Sequence, residues 1–363
     1  MKGAAGMIRL LSRGKPTAWK FRHLLRLYNP NVLKSDHQNF DYVEQGEWDK
    51  GFSSHYHSEL KGLVEEYEAN RVAAVRSARN KLLLLTPLFF IIPIIGWKLN
   101  IWDSNNFEDP SGLGFYFVII SYAAMFWLIK RSIITYQDSI KNEVFPKILE
   151  FMGDYSFSSH VPAQVKKYEK TGLIPSFNYE KNEDQIIGAY NGVAIELFES
   201  HLQRSSGTGK NRRVVTVFNG LILNLSMNKN FLGTTLVKQD RGILGNWFEK
   251  KFSNLENVKL EDPRFEKTFE VYSTDQIEAR YLLTVSFMER LLQLAELFDK
   301  SGIRLCFQDN SLLIMIPLRK PIFEPGPITE PENFIDDAQN LLKEMHLIFQ
   351  IIDILNLKLK LNL

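Results

Sequence analysis

The sequence predicts a membrane protein: a two-helix transmembrane hairpin followed by a cytosolic α+β domain, an antiparallel sheet with two packed helices. Three observations predict it. Two apolar runs of 16 and 20 residues, Leu82–Trp97 and Pro110–Ile129, contain no charge and are separated by a predominantly polar loop of twelve residues, three of them acidic. Lysine and arginine flank the pair on its outer sides. From Asp184 onward, strand-like segments give way to two segments of helical periodicity, the order of an α+β domain.

The first 35 residues hold Lys2, Arg9, Arg13, Lys15, Lys20, Arg22, Arg26 and Lys34 and no acid. Trp19, Leu24, Leu27 and Tyr28 interleave with Lys20, Arg22 and Arg26 at roughly helical spacing. A basic amphipathic helix of this kind can lie on anionic lipid, and a solvated tail is the equal alternative. No secretory signal is expected, because no apolar stretch precedes a cleavage site, and Lys2 stands where myristoylation would need glycine. Residues 57–80 read as a helix leading to the membrane, with Leu60, Leu63, Val64, Tyr67 and Val72 on one face.

The run Pro110–Ile129 has the length a helix needs to cross ~30 Å of hydrocarbon. Leu82–Trp97 is shorter, but Lys81 and Lys98 can snorkel, and Pro87 and Pro93 are tolerated where a neighbouring helix packs. Trp97, Trp102, Tyr116 and Trp127 fall near the span ends, where amphipathic rings prefer the headgroups. A buried hairpin of a soluble protein would rarely carry such lengths without charge. Arg71, Arg76, Arg79 and Lys81 precede the first span and Lys130 and Arg131 follow the second, while the loop carries Asp103, Glu108 and Asp109. Both termini are therefore expected on the cytoplasmic side.

Residues 132–151 should continue the second span as a helix until Pro146, and 160–182 read as an irregular linker or a helix and loop. Ile186–Tyr190, Val193–Leu202, Val214–Met227, Thr234–Val237 and Phe265–Tyr272 read as strands. Asn191-Gly192 signals a type I′ hairpin, and Asn219-Gly220 is either a turn or a bulge within one long strand. A helix opens at Asp275, with apolar positions Tyr281, Val285, Met288, Leu292 and Ala295, and stops at Gly302. Arg304–Phe307 and Leu312–Leu318 form a hairpin about Asp309-Asn310, and a last helix covers roughly Glu332–Leu357. Its apolar second half (Leu347, Ile348, Ile351, Ile352, Leu355) suits a core, a dimer seam or a membrane contact. The expected organisation is a basic cytosolic helical region at 1–80, a hairpin at 81–131, a connector at 132–183 and the α+β domain at 184–363.

A net charge of +2 with 24% charged residues makes no case for nucleic acid. The single cysteine, Cys306, excludes an intramolecular disulfide, suits a reducing compartment and lies in an alternating apolar segment as a small packed hydrophobe.

The run Phe265-Glu266-Lys267-Thr268-Phe269-Glu270-Val271-Tyr272-Ser273-Thr274-Asp275-Gln276-Ile277-Glu278-Ala279-Arg280-Tyr281, with Phe287-Met288-Glu289-Arg290-Leu291 after it, resembles the bacterial membrane family catalogued as domain of unknown function 3137. Asp184-Gln185-Ile186-Ile187-Gly188, Phe218-Asn219-Gly220 and Ile322-Phe323-Glu324-Pro325 fit the same pattern, so the likeness covers most of residues 140–363. The resemblance implies a hairpin before a cytosolic domain in a bacterial inner membrane, and no activity. Val285 stands where that pattern has a proline starting a second helix, so one unbroken helix is expected here.

Chemistry-bearing motifs are few. His55-Tyr56-His57 lacks the partners of a metal site, and Ser206-Gly207-Thr208-Gly209-Lys210 lacks the spacing of a phosphate loop. No metal and no cofactor are expected. Arg204, Lys210, Arg212 and Arg213 make a basic hairpin loop that, like Lys20, Arg22 and Arg26, suits anionic lipid headgroups or an acidic partner; solvated tip residues are the plainer reading. Asp275, Glu278 and Arg280 are the weak catalytic candidates, but Asp275 suits an N-cap, Glu278 the position reaching back to it, and Arg280 an intrahelical pair. The sequence thus points to a bilayer-anchored interaction or ligand-sensing protein with an unknown protein partner and an open oligomeric state. The alternatives are a membrane-proximal enzyme acting on lipid or a membrane-associated substrate, a secreted effector inserting into a host membrane, and a transporter subunit. The last is weakened because neither span holds an ionisable residue.

Overall fold

The structure is a computed structural model that describes residues 26–34, 41–98, 113–207, 213–227, 229–239, 255–298, 302–319 and 321–355. The chain divides into two compact units, one a helical unit of Ala18–Lys147 with Glu324–Gln339, the other a sheet unit of Ile148–Phe323 with Asn340–Leu363.

In the helical unit, Asp49 organises the entry turn by accepting from the Tyr42 hydroxyl and the Gln45 and Gly46 amides at 2.8–2.9 Å. Helix α1 (Phe52–His55) starts after Gly51, whose φ of 86° suits glycine. A π-turn at Tyr56–Leu60 and a 3₁₀ turn at Lys61–Leu63 lead into α2 (Val64–Lys98), which runs through Pro87 and Pro93. Helix α3 (Leu113–Ser139) is followed by a second π-turn, Ile140–Val144, and α4 (Phe145–Glu150). The expected stop at Pro146 does not occur. The π-turn just before it rearranges the hydrogen-bond ladder, so the missing proline N–H leaves little unmet and the helix continues to Glu150.

Helices α2 and α3 are antiparallel neighbours. Lys81 Nζ donates to Ser132 Oγ at 2.7 Å and approaches the Leu128 carbonyl at 3.4 Å, and the Ser77 and Ser132 hydroxyls lie 3.3 Å apart. Among the described residues, one helix, Phe52–Gly96, is long and apolar enough to cross a membrane by length and composition, with a mean hydropathy of 1.6 in its most apolar 18-residue window and 12% of that window buried. Trp102 and the inter-helix loop lie outside the described residues.

The sheet unit holds nine antiparallel strands in the order β1-β2-β3-β4-β9-β8-β5-β7-β6. Strands β1 (Ser156–Val161), β2 (Tyr179–Tyr190), β3 (Val193–Ser206) and β4 (Arg213–Ser226) make a meander. The end of β1 (His160, Val161) and the start of β2 (Tyr179–Asn182) fall in the stretch expected to be irregular; β1 is an edge strand, where hydrophobic alternation is weak. The Asn191-Gly192 turn has φ of 51° and 82°, as a type I′ hairpin requires. Asn219-Gly220 lies inside the continuous strand β4, so it is not a turn. The register shifts at Val217, and a Cβ on Gly220 would sit 2.1 Å from the Ile316 carbonyl oxygen, which is the close approach that demands glycine.

Strand β5 (Thr235–Gln239) lies between β7 (Phe269–Ser273) and β8 (Arg304–Gln308), and β9 (Ser311–Pro317) returns from β8 through Asp309-Asn310 to pair with β4. The two-residue β6 (Glu256–Asn257) borders β7. The strand expected over Phe265–Tyr272 is half helix: α5 (Pro263–Thr268) precedes β7. Asp262 caps it, accepting from the Arg264 and Phe265 amides at 2.8 and 3.2 Å, and Pro263 suits a first turn. That Asp-Pro start outweighs the β propensity of the phenylalanines.

The single helix expected from Asp275 is two, α6 (Gln276–Leu282) and α7 (Val285–Leu297). Thr284, extended at ψ 158°, caps α7 by accepting from Phe287 N at 3.3 Å. A side-chain cap breaks the helix without proline. One sheet face carries the core of Phe198, Leu202, Phe218, Ile222, Cys306 and Leu313, closed by Val165, Tyr168 and Leu173. The opposite face takes the helices: Phe287 of α7 meets Phe307 edge-on at 5.7 Å, and Phe349 of α8 (Ile335–Leu355) stacks on Tyr190 at 4.1 Å. Leu347, Ile348, Ile351, Ile352 and Leu355 are all buried, so the C-terminal helix is core.

Candidate functional site

The candidate site of the helical unit is built around Arg71 on α2. This side chain is fully buried, and all five of its N–H donors are used. Nε and Nη2 donate to the two Glu68 oxygens at 2.6 and 2.7 Å, one helical turn back. Nη1 donates to the carbonyls of Val32 and Ile328 at 2.9 and 3.0 Å, and Nη2 also to that of Lys34 at 3.2 Å. A bidentate pair with every donor answered is the condition under which burying a guanidinium is tolerable.

The network then extends along the segment Glu324–Gln339. Glu68 accepts from the Glu332 amide at 2.8 Å. The Glu332 carboxylate accepts from the Tyr136 hydroxyl of α3 at 2.7 Å and from the Asn333 and Phe334 amides at 3.1 Å. Tyr56 donates to the Asn333 carbonyl at 2.7 Å, Tyr67 meets the Phe334 ring edge-on at 5.2 Å, and Lys141 pairs with Glu324 at 3.2 Å. Asp337, buried behind them, accepts from Gly326 N. Burial first, and the Glu332 charge second, hold the Asp337 carboxyl well above the usual carboxylate range. Burial and the same glutamate push the Tyr136 phenol up. Beside them opens an acidic cavity of about 250 Å³, lined by Gly326, Pro327, Glu330, Glu332, Asp336 and Asp337. Three stretches of chain therefore meet on one ion pair, α3 joins the network through Glu332, and the hydrogen bonds of the pair are used to hold backbone.

Sequence reasoning placed Arg71 among the basic flanks of the first span and missed this role. The available signal was Glu68 three residues ahead of it, a spacing that pairs on a helix.

In the sheet unit, Asp275, Glu278 and Arg280 lie on α6 as expected, each with a partner. Asp275 caps the helix, accepting from the Ile277 and Glu278 amides at 2.9 Å. The buried Glu278 does not reach back to the cap. Its oxygens accept from the Leu232 and Gly233 amides at 3.0 and 2.8 Å and pin that loop. Arg280 donates to Gln276 Oε1 at 3.3 Å.

Arg204 and Arg213 are exposed on β3 and β4 at the expected hairpin, while Lys210 and Arg212 lie outside the described residues. Arg26 is exposed, and Lys20 and Arg22 lie outside the described residues. His55 contacts the Lys147 carbonyl through Nε2 at 2.6 Å, and His57 contacts the Ser53 carbonyl at 2.7 Å and Asp41 at 3.2 Å. Among the described residues no three His, Cys, Asp or Glu side chains are grouped to hold a metal ion. Cys306 is buried in the sheet core with its thiol pushed up by that burial.

Residues 216–357 match the family model described as protein of unknown function (DUF3137), the resemblance expected from the Phe265–Tyr281 run. The match takes in the sheet from β4 onward, the Asp275–Arg280 motif and the segment that Arg71 holds. Among curated proteins none matches the chain. Among solved structures, the crystal structure of the mycobacterial trehalose monomycolate transport factor A, TtfA, is similar over 59% of this chain and 96% of that chain, with 9% identity and a TM-score of 0.31. A likeness of that degree carries no functional argument.

Proposed function

We propose that the chain is a two-span membrane protein of a bacterial inner membrane, with both termini on the cytoplasmic side and the sheet unit acting as an interaction or ligand-sensing module. The observation that carries the anchoring is an apolar belt turned outward on α2 and α3. Leu84, Phe90, Ile94, Ile120 and Trp127 are 73, 65, 55, 65 and 55% exposed, a surface that water does not favour at this extent. Lys81 and Ser132 link the two helices at one edge of that belt, and Arg131 lies over the Trp127 ring at 5.3 Å, a pairing suited to the headgroup level. An interaction role is supported by the engagement of Asp275 and Glu278 in capping and loop-pinning, which leaves their oxygens committed to backbone amides. Within the helical unit, α2, α3 and the family-matching segment Glu324–Gln339 share one hydrogen-bond network around Arg71.

Cysteine accessibility tests the anchoring, since Cys306 is buried. Asn105→Cys should react with a membrane-impermeant maleimide in intact cells, and Glu150→Cys only after permeabilisation. The opposite pattern, or recovery of the full chain in the soluble fraction, would overturn the reading.

A further inference from the structure

The sheet unit carries, at one tip, a cluster of protruding apolar side chains that its own core does not use. Leu232, on the loop before β5, is 90% exposed, and Ile277, Tyr281 and Val285 are 82, 45 and 62% exposed. Ile277 and Tyr281 are one turn apart on α6, so they share a face. The loop is fixed beside that face by Glu278, whose carboxylate receives the Leu232 and Gly233 amides. Gly233 is required there, because a Cβ would sit 2.5 Å from Thr274 Oγ1. Lys229 lies over the Tyr281 ring at 4.9 Å, and exposed Arg280 follows on α6.

We infer that this tip is a membrane-contacting surface that inserts Leu232 and Ile277 into an anionic phospholipid leaflet, with Lys229 and Arg280 at the headgroups. The inference deepens the anchoring reading and rests on it. Side chains as exposed as Leu232 and Ile277 project outward rather than line a groove, so a protein partner would have to supply pockets for them, whereas a bilayer requires no matching shape. The charge pattern favours the same occupant. Both cations of the tip lack a carboxylate partner among the described residues; of the acids nearby, Asp275 and Glu278 are engaged with backbone amides and Glu256 accepts from Gln276 Nε2 at 2.6 Å, while Asp309 is exposed beside Phe231. A tyrosine stacked under a lysine suits the interface, where an amphipathic ring keeps one end dry. The rigid pinning by Glu278 means that insertion needs little ordering of the loop.

The test uses the full chain reconstituted in vesicles of phosphatidylcholine alone or with about three parts in ten phosphatidylglycerol. An environment-sensitive fluorophore is placed at Asn230→Cys, exposed beside the tip, and in a second sample at Leu84→Cys on the proposed span. The expected result is quenching of the Asn230→Cys label by lipid-borne nitroxides in the anionic vesicles. Lys229→Glu with Arg280→Glu should weaken it, and Leu232→Ser with Ile277→Ser should lower the inserted population at least about tenfold, as loss of burial of two such side chains dictates. Quenching of that label by aqueous iodide alone, while the Leu84→Cys label is quenched from the lipid, would overturn the inference and leave the anchoring intact. Protection from both quenchers would mean a protein contact and would also overturn it. Failure of the Leu84→Cys label to meet lipid would overturn the anchoring itself.

Discussion

At the centre of the helical unit, a fully buried Arg71 gives five hydrogen bonds to Glu68 and three backbone carbonyls. At the centre of the sheet unit, the same depth is filled by Phe198, Leu202, Ile222, Leu313 and Cys306, with no charge among them. The two solutions differ in how they fail. An apolar core loses stability in proportion to the volume removed, and the surroundings relax. A buried ion pair holds only while both partners and their hydrogen bonds are present, and removing one strands the other in low dielectric. The helical unit is therefore the part where a small chemical change has a large structural result. That is the property expected of a joint between α2, α3 and the segment Glu324–Gln339.

The sharpest way to break the comparison is to remove one partner of the pair. Arg71→Ala should destabilise the helical unit by about 3–5 kcal/mol, because Glu68 and three carbonyls lose their donors together. Replacing both partners, Arg71→Met with Glu68→Met, should recover much of that loss. Hydrogen exchange at the amides of Asn333 and Phe334, whose acceptor Glu332 is untouched by either change, reports it directly, and equal instability of single and double variants would show that packing rather than charge holds the segment. In the sheet unit, Phe198→Ala should cost about 3–5 kcal/mol in the stability of its strand amides, with no comparable rescue by a second polar change.

Glu278 joins the two modes, since it is a buried carboxylate in the apolar unit. Glu278→Ala should cost about 1–3 kcal/mol by leaving the Leu232 and Gly233 amides without acceptors, with exchange accelerated in that loop and unchanged at Phe198. Glu278→Gln keeps one acceptor and should retain part of the protection. A variant that lost activity toward some substrate while keeping loop protection would argue for chemistry at this motif instead.

Asp337 supplies a pH test confined to the helical unit. Its folded value lies above the free-chain 3.8, chiefly from burial, so the folded state binds the proton more tightly. Its contribution is fully present below that free-chain value and is lost as pH rises through the raised folded value. Asp337→Asn mimics the protonated form and keeps an acceptor for Gly326 N. It should flatten the pH dependence above the free-chain carboxylate range and raise stability at neutral pH. An unchanged pH profile of helical-unit exchange would assign the dependence to another group.

Much of the sheet unit was legible because its signals are local. Asn191-Gly192 fixes a turn by backbone conformation, Leu221, Leu223 and Leu225 mark one face by alternation, and Cys306 falls in a periodic apolar run. The Arg71 clasp was not legible, since Ile328 and Glu332 stand 257 and 264 residues from the side chains they meet. No periodicity links them, and an arginine ahead of a membrane span has an adequate explanation without burial. The end of the helix expected from Asp275 rests on a subtler signal. A missing proline favours a continuous helix, whereas Thr284 ends one helix and caps the next.

That break makes the smallest and cleanest prediction. The family resemblance has a proline where this chain has Val285, the first residue of α7. Thr284 already has the extended backbone, φ −60° and ψ 158°, that a residue before proline adopts. A first-turn position has no intrahelical acceptor for its N–H, so proline removes nothing that is used. Val285→Pro should then stabilise the sheet unit by about 0.4–1 kcal/mol through a less free unfolded chain, without altering the helical unit. Destabilisation would mean that α6 and α7 sample one continuous helix, in which an interior proline costs about 3 kcal/mol. The sign of this one substitution therefore decides whether the Thr284 cap alone is enough to hold the two helices apart.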